Sequence, residues 1–150
     1  MTMQTPPIGT HGSRAMSGPM ARFGAHFMAA MYRRRGKMAS SMVLLTTVGA
    51  KSGERRVVPL GFTADGDRWL IVATAMGSAK NPAWLHNLAV HPDQVWIELG
   101  RETVKVRPEI LAGDERAEAW ARVVAGAPQF GKYETQTDRE IAVVRLTREP

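Results

Sequence analysis

The sequence predicts an α+β domain in which a small antiparallel β-barrel carries helices over its ends. A chain of 150 residues is long enough to bury one core. Its apolar segments are short and mostly separated by hairpin-type turns, of which Asp65-Gly66 is the strongest signal. The regular strand–helix alternation of a doubly wound sheet is missing, so a barrel of about six strands fits better.

The first part of the chain is expected to precede the barrel. Residues 1–18 are rich in Gly, Pro, Thr and Ser and lack apolar periodicity, which predicts a disordered tail. Residues 19–37 place Phe and Met at helical spacing and carry three arginines and a glycine near their end, which predicts a basic amphipathic helix. This N-terminal helix suits either packing on its own domain or peripheral contact with anionic lipid. Residues 38–150 then form the barrel domain.

Strands are expected where a short apolar run is bounded by turn signals. These runs fall at 41–47, 57–63, 68–74, 94–99, 103–110 and 141–146. Asn81-Pro82 predicts the start of a helix that stops at Pro92, because Asn caps helices and Pro fits the first turn. Asp114 and Glu115 suit the first turn of a later helix. We expect its inner face to consist of Ala117, Trp120, Ala121 and Val124.

Composition narrows the classes of function. The net charge of +6 belongs to the front of the chain, because residues 1–53 contain seven Lys or Arg and no Asp or Glu. That asymmetry favours an acidic partner. The chain has no cysteine, no long apolar run and no signal-peptide pattern, so a cytoplasmic location is expected. Few aromatic residues interleave with the basic ones, which argues against nucleic-acid binding.

Two short basic loops, each containing glycine, interrupt the apolar strands. The first bend (residues 49–54) carries Lys51 and is followed by Arg55 and Arg56, and the second bend (residues 75–81) carries Lys80. Glycine lets a ligand approach the backbone, and Lys and Arg supply charge for phosphate or carboxylate. Adjacent strand residues point to opposite faces, so we assign Arg56 to the site, with Arg55 solvated or reaching a distal part of the ligand. The alternative to one long anionic ligand is a pair of solvated turns.

No set of catalytic side chains is evident. Gly49-Ala50-Lys51-Ser52 lacks the glycine spacing of a P-loop and precedes a strand. His86 and His91 are not joined by a carboxylate that would complete a metal site, so no metal is expected. No nucleophile elbow occurs. If the protein is an enzyme, a cofactor carries the reaction.

Trp84 and Asn87 lie on one face of the helix that follows the second bend. Trp84 is either a core aromatic or a wall for a flat ring, with Asn87 as a polar contact.

Three segments together resemble the deazaflavin (F420)-dependent nitroreductase family, the F420-dependent split β-barrel oxidoreductases. They are LLTTVGAKSGERRVVPL (44–60), GSAKNPAWLHNL (77–88) and His91-Pro92, and the likeness extends over about residues 42–148. The resemblance implies a split barrel and coenzyme F420. It also implies hydride transfer from the reduced deazaflavin to a hydrophobic, electron-poor acceptor, namely a quinone, an activated enone or a nitroaromatic.

The resemblance also implies residue roles. The phosphate and oligoglutamate tail of F420 would contact Lys51, Ser52, Arg55, Arg56 and Lys80. The ring would contact Val58, Pro59, Thr74 and Ala75, with Trp84 and Asn87 bordering the site. Tyrosines crowd the acceptor pocket of nitroimidazole-reducing members, and their counterparts here are Gly61, Ala127, Phe130 and Tyr133.

Only one hydroxyl of that acceptor pocket, Tyr133, is retained. A wider, more apolar pocket favours a quinone-like acceptor, with Tyr133 as the proton donor or hydrogen-bond partner. The basic helix would suit access to a quinone dissolved in a membrane. The alternatives are an FMN-binding reductase on the same barrel and a non-catalytic, membrane-associated module that binds the cofactor.

Overall fold

The computed structural model describes residues 2–12, 29 and 42–150. Within them, one antiparallel sheet curls into a half-barrel. Its strands are β1 (Met42–Val48), β2 (Arg55–Gly61), β3 (Thr63–Asp65), β4 (Arg68–Val72), β5 (Trp96–Leu99), β6 (Glu102–Ile110) and β7 (Val143–Arg148). The helices are α1 (Ala83–Val90), α2 (Gly113–Gly126) and α3 (Gln129–Gln136), and a short 3₁₀ turn spans Ala75–Gly77. The predicted antiparallel barrel is confirmed, with β3 as an additional strand beyond Gly61.

The order of the strands explains why the sheet curls. It runs β2-β1-β5-β6-β7-β4-β3, so the two edge strands follow each other in the chain. Phe62 alone separates the last residue of β2 from the first residue of β3. A flat sheet would hold these edges roughly 29 Å apart, at about 4.8 Å per strand. The split falls at β6, whose first half pairs with β5 and whose second half pairs with β7.

Alternation along the strands creates a core on each face of the sheet. The inner core, which α1 closes, consists of Val43, Leu45, Ile71, Ala73, Trp84, Leu85, Leu88, Val95, Ile97, Val104, Val106, Ala142, Val144 and Leu146. The outer core lies under α2 and consists of Leu70, Val72, Leu111, Ala119, Trp120, Val123, Ile141 and Val143. Phe130 and Tyr133 of α3 pack against this outer core.

Two local predictions about the helices are wrong. Helix α2 buries Ala119, Trp120 and Val123, while Ala117 and Ala121 are exposed. The helix is rotated because the large Trp120 ring and Val123 gain more from burial than the two small alanines do. Asn81 does not cap α1, which begins without a side-chain cap. Its amide instead donates to the Pro6 carbonyl oxygen at 2.8 Å.

Residues 2–12 form an N-terminal strap over the domain and differ from the expected disordered tail. The Met3 N–H donates to the Ala89 carbonyl oxygen at 2.7 Å, and the Gly9 N–H donates to that of Ala79 at 2.7 Å. The hydroxyl of Thr10 donates to the Asp138 carboxylate at 2.6 Å. The partners of these groups come together only in the folded domain, so the Gly- and Pro-rich composition did not predict an ordered strap.

The predicted helix at 19–37 lies outside the described residues, apart from Ala29. Ala29 is helical and buried, and it contacts Leu44 on the outer face of β1. Among the residues described, no helix is both long enough and apolar enough to cross a bilayer.

Candidate functional site

The first bend is a tight turn closed by its own backbone. The Gly49 N–H donates to the Glu54 carbonyl oxygen at 2.7 Å, and the Gly53 N–H donates to that of Gly49 at 2.9 Å. Gly53 adopts a φ of 71°, which favours glycine. The Ser52 hydroxyl accepts from the Glu54 N–H at 3.1 Å, while the side chain of Lys51 is exposed. The turn therefore presents Lys51 to solvent and uses Ser52 to shape itself.

Arg55 and Arg56 lie on opposite faces of β2. Arg56 pairs with Thr47 and shares the inner face with Val58, which packs against the inner core. Arg55 lies on the outer face, where its guanidinium sits 4.4 Å from the centroid of the Trp96 ring. Arg56 forms a 3.0 Å ion pair with the exposed Glu54. Such surface pairs contribute little, so an anionic ligand can replace Glu54 at low cost.

Asn87 connects the first bend to helix α1. Its Oδ1 accepts from the Ala50 N–H at 3.0 Å, and its Nδ2 donates to the Thr47 hydroxyl at 3.4 Å. Helix α1 begins at Ala83, directly after the second bend, and Asn87 lies about 6 Å further along its axis. The two bends are therefore held by the same short helix. Asn87 and Trp84 are both buried and have structural roles, and their contact with a ring stays a prediction.

The second bend contains a run of left-handed backbone. Ala75, Met76 and Gly77 have φ values of 44°, 53° and 79°. Non-glycine residues in this region cost about 1–3 kcal/mol each, and such strain clusters at functional sites. Glycine is favoured at position 77 by its positive φ and because a Cβ there would lie 3.0 Å from the Cβ of Gln136 in α3. Lys80 follows the turn and is exposed.

Arg139 organises the second bend and was not among the predicted site residues. Its side chain is 4% exposed. It donates to the carbonyl oxygens of Ala73 (2.9 Å), Thr74 (2.8 Å) and Ser78 (3.0 Å), and to Asn81 Oδ1 (3.0 Å). Burial lowers the pKa of Arg139, because the guanidinium is removed from water. In the sequence, the one feature that could have drawn attention to Arg139 is the charged triplet Asp138-Arg139-Glu140 directly before an apolar strand.

The N-terminal strap forms one wall of an open groove next to the second bend. The groove has a volume of about 420 Å³. It is lined by Thr5, Pro6, Pro7, Ile8, Lys80, Asn81 and His86. Lys80 of the second bend therefore lines this groove together with the strap.

The predicted acceptor residues lie on two different elements. Phe130 and Tyr133 are on α3, with ring centroids 6.2 Å apart. The Tyr133 carbonyl oxygen lies 3.3 Å from the place of a Cβ on Gly77, so α3 packs against the second bend. Gly61 ends β2 at the strand terminus opposite Arg55, and Pro59 faces outward across from Leu44. The structure brings the helix of Tyr133 next to the second bend.

Comparison with known proteins gives a consistent result. The profile of the F420H(2)-dependent quinone reductase family matches residues 22–148. The chain is 38% identical over 113 residues to F420H(2)-dependent quinone reductase Rv1261c of Mycobacterium tuberculosis, covering 73% of this chain and 75% of that protein.

Solved structures agree with the sequence comparison. An F420-H2 dependent reductase, FDR-A, superposes with a TM-score of 0.65 at 34% identity, over 71% of this chain and 94% of that chain. A structure described as a domain-swapped dimer superposes with a TM-score of 0.68 at 28% identity, over 87% of this chain and 100% of that chain. The haem-storage protein HutZ of Vibrio cholerae shares the fold, with a TM-score of 0.56 at 15% identity.

Proposed function

The chain belongs to the F420H(2)-dependent quinone reductase family, and from this premise we propose that it reduces a quinone-type acceptor with reduced coenzyme F420. The resemblance to F420-dependent split-barrel oxidoreductases is thereby confirmed, and F420 is the family's cofactor. The observation that carries the placement of the site is the hydrogen bond from the Ala50 N–H to Asn87, which holds the first bend on the helix that starts at the second bend.

The residues at both bends fit an elongated anionic cofactor. Lys51 and Lys80 are exposed and form no salt bridge within residues 2–12, 29 and 42–150. In the part of the chain that the structure describes, Arg56 pairs with the exposed Glu54 at the surface. We assign phosphate and carboxylate groups of the tail to Lys51, Ser52, Arg56 and Lys80. Arg55 is left in a distal role, because it stacks on Trp96 on the other face of β2.

The flat ring is assigned to the backbone and apolar groups between the bends. The N–H groups of Thr74 and Ala75 form no hydrogen bond within the described residues, so they are free to bind ring oxygens. Val58 supplies apolar surface on the inner face of β2, whereas Pro59 faces outward and would meet the ring only through its backbone carbonyl. When bound, the reduced cofactor supplies a hydride to an electron-poor acceptor. The chain orients the two reactants and excludes water.

Tyr133 is assigned as the proton donor or hydrogen-bond partner of the acceptor, with Phe130 as an apolar contact. Reduction of a quinone by a hydride needs one proton for each hydride, and Tyr133 carries the one hydroxyl retained in this pocket. Because the counterparts of the other tyrosines are Gly61, Ala127 and Phe130, we propose that quinones are preferred over nitroaromatics and enones.

The test uses the purified full-length protein with reduced F420 and a soluble naphthoquinone. We expect recovery of the oxidised coenzyme's visible absorbance only when protein and quinone are both present. Lys51→Ala and Arg56→Ala should each weaken F420 binding about tenfold, the contribution of one charged contact, and flatten its salt dependence. Arg101→Ala, in the β5–β6 turn, is the matched control.

Two results would overturn the proposal. Tight binding of FMN without any response to F420 would identify a flavin reductase. F420 binding without turnover of any quinone, enone or nitroaromatic would identify a non-catalytic module.

We also propose that the basic segment 19–37 contacts anionic membrane and so brings the site near membrane-dissolved quinone. Its support is the charge of that segment, which carries five Lys or Arg and no Asp or Glu. Vesicles containing anionic lipid should pellet the full-length chain more strongly than a variant beginning at Met38. Equal pelleting of the two would exclude a lipid role for the segment.

A further inference from the structure

Arg139 lies behind the second bend, and its partners reveal which peptide groups it orients. It donates to the carbonyl oxygens of Ala73 and Thr74. Each carbonyl shares a planar trans peptide unit with the N–H of the next residue, and the two groups point in opposite directions. The N–H groups of Thr74 and Ala75 therefore point away from the guanidinium.

These two N–H groups form the start of an anion-binding concavity. Thr74 is right-handed, with φ −69° and ψ −37°, and Ala75 follows with a φ of 44°. A right-handed residue followed by a left-handed one makes successive N–H groups converge, which is the geometry of a backbone nest. Neither N–H has a partner in the part of the chain that the structure describes.

The charge of Arg139 is not neutralised locally. Within residues 2–12, 29 and 42–150 it forms no salt bridge, and all its acceptors are carbonyl or amide oxygens. Burying a guanidinium without a carboxylate is costly, so the arrangement needs a compensating role. Hydrogen bonds in a chain polarise one another, so a cation on the carbonyl side makes the opposite N–H a stronger donor.

We propose that Arg139 is a positioning residue that aligns and strengthens the Thr74 and Ala75 N–H donors for an electron-rich oxygen of the cofactor ring. The inference rests on the proposed function and adds a residue to it. Arg139 does not touch the ring. It acts through two peptide units, and its bond to Asn81 extends the same support to the bend that carries Lys80.

The test compares three variants with one reference variant at Thr74 and one matched control outside the site. Arg139→Gln removes the charge, and Arg139→Lys keeps it without the planar fork. Thr74→Pro deletes one N–H but keeps the backbone, because proline imposes the φ that Thr74 already has. Thr74→Val controls for the lost hydroxyl. Arg116→Lys controls for the loss of an arginine bound to a backbone carbonyl, since Arg116 donates to Ile141 O outside the bend.

Three measurements separate positioning from folding: thermal unfolding, the Kd of oxidised F420, and steady-state KM values for each substrate. We expect Arg139→Gln and Thr74→Pro to raise the Kd and the KM for reduced F420 about tenfold, the effect of one lost charge-assisted hydrogen bond. The KM for quinone should not change. Arg139→Lys should lie between wild type and Arg139→Gln. Thr74→Val, which keeps the N–H, should bind F420 more tightly than Thr74→Pro, and Arg116→Lys should bind F420 like wild type.

The outcomes distinguish this inference from the proposed function. If wild type binds F420 and turns over quinone while Arg139→Gln and Thr74→Pro bind F420 normally, Arg139 has a structural role only. If wild type does not bind F420, the proposed function itself fails. If Arg139→Gln does not fold, the F420 affinities of Thr74→Pro and Thr74→Val are compared. Equal affinities would show that the Thr74 N–H does not bind the cofactor and would overturn the inference.

Discussion

Replacing Asn87 by alanine tests the link between the first bend and helix α1. The change removes the acceptor of the Ala50 N–H at 3.0 Å and the donor to the Thr47 hydroxyl at 3.4 Å. Thr47 is buried, and a buried polar group left without its partner costs about 1–3 kcal/mol. We expect the free energy of unfolding to fall by about 2 kcal/mol. That corresponds to a melting temperature lower by about 6 °C for a domain of this size.

The assay is chemical and thermal denaturation of wild type and Asn87→Ala. His86→Ala is the control, because His86 is the preceding residue on the same helix but is exposed. Binding of F420 should also weaken, since the first bend is no longer held against α1. A variant with wild-type stability and wild-type affinity for F420 would refute the claim that this hydrogen bond joins the two bends.

Three further predictions concern stability. Asp65 is buried, which raises its pKa, but hydrogen bonds from Arg145 and Arg122 outweigh this effect and hold the pKa below its usual value. Asp65→Ala should therefore lower the free energy of unfolding by about 3 kcal/mol in a denaturation experiment, whereas Asp67→Ala should change it by about zero. Hydrogen bonds from Thr10 lower the pKa of Asp138 to about 2. Its carboxylate thus stabilises the fold above the unfolded pKa of 3.8, and this contribution is lost as the pH falls towards 2. Denaturation of Asp138→Asn at several pH values should show a destabilisation that shrinks over that range. A destabilisation that does not change with pH would contradict the assignment. Met76→Gly should raise the free energy of unfolding by about 0.5 kcal/mol, because the relief of a positive φ exceeds the added entropy of the unfolded chain; a lower melting temperature would contradict it.

The strand patterns and the paired basic bends were readable in the sequence because they depend on short-range properties. Alternating apolar residues predict strands, and Gly49 to Arg56 predicts a cationic turn wherever the segment lies in the fold. The opposite faces of Arg55 and Arg56 also follow from the two-residue period of a strand. The exact rotation of α2 did not follow, because it depends on how Trp120 meets the sheet.

Long-range contacts explain what pattern and composition left open. The side chain of Asn81, which was predicted to cap a helix, instead forms hydrogen bonds with Pro6 and Arg139, both distant in sequence. The strap at 2–12 is ordered by partners seventy or more residues away, among them Asp138. The sequence assigned Arg139 no role, and only the folded chain places its guanidinium behind the left-handed turn. The local spacing of residues therefore predicts the strands and helices and the positions of the charged bends. The direction of the peptide groups that a ligand would meet depends on contacts that exist only once β7 has paired with β4.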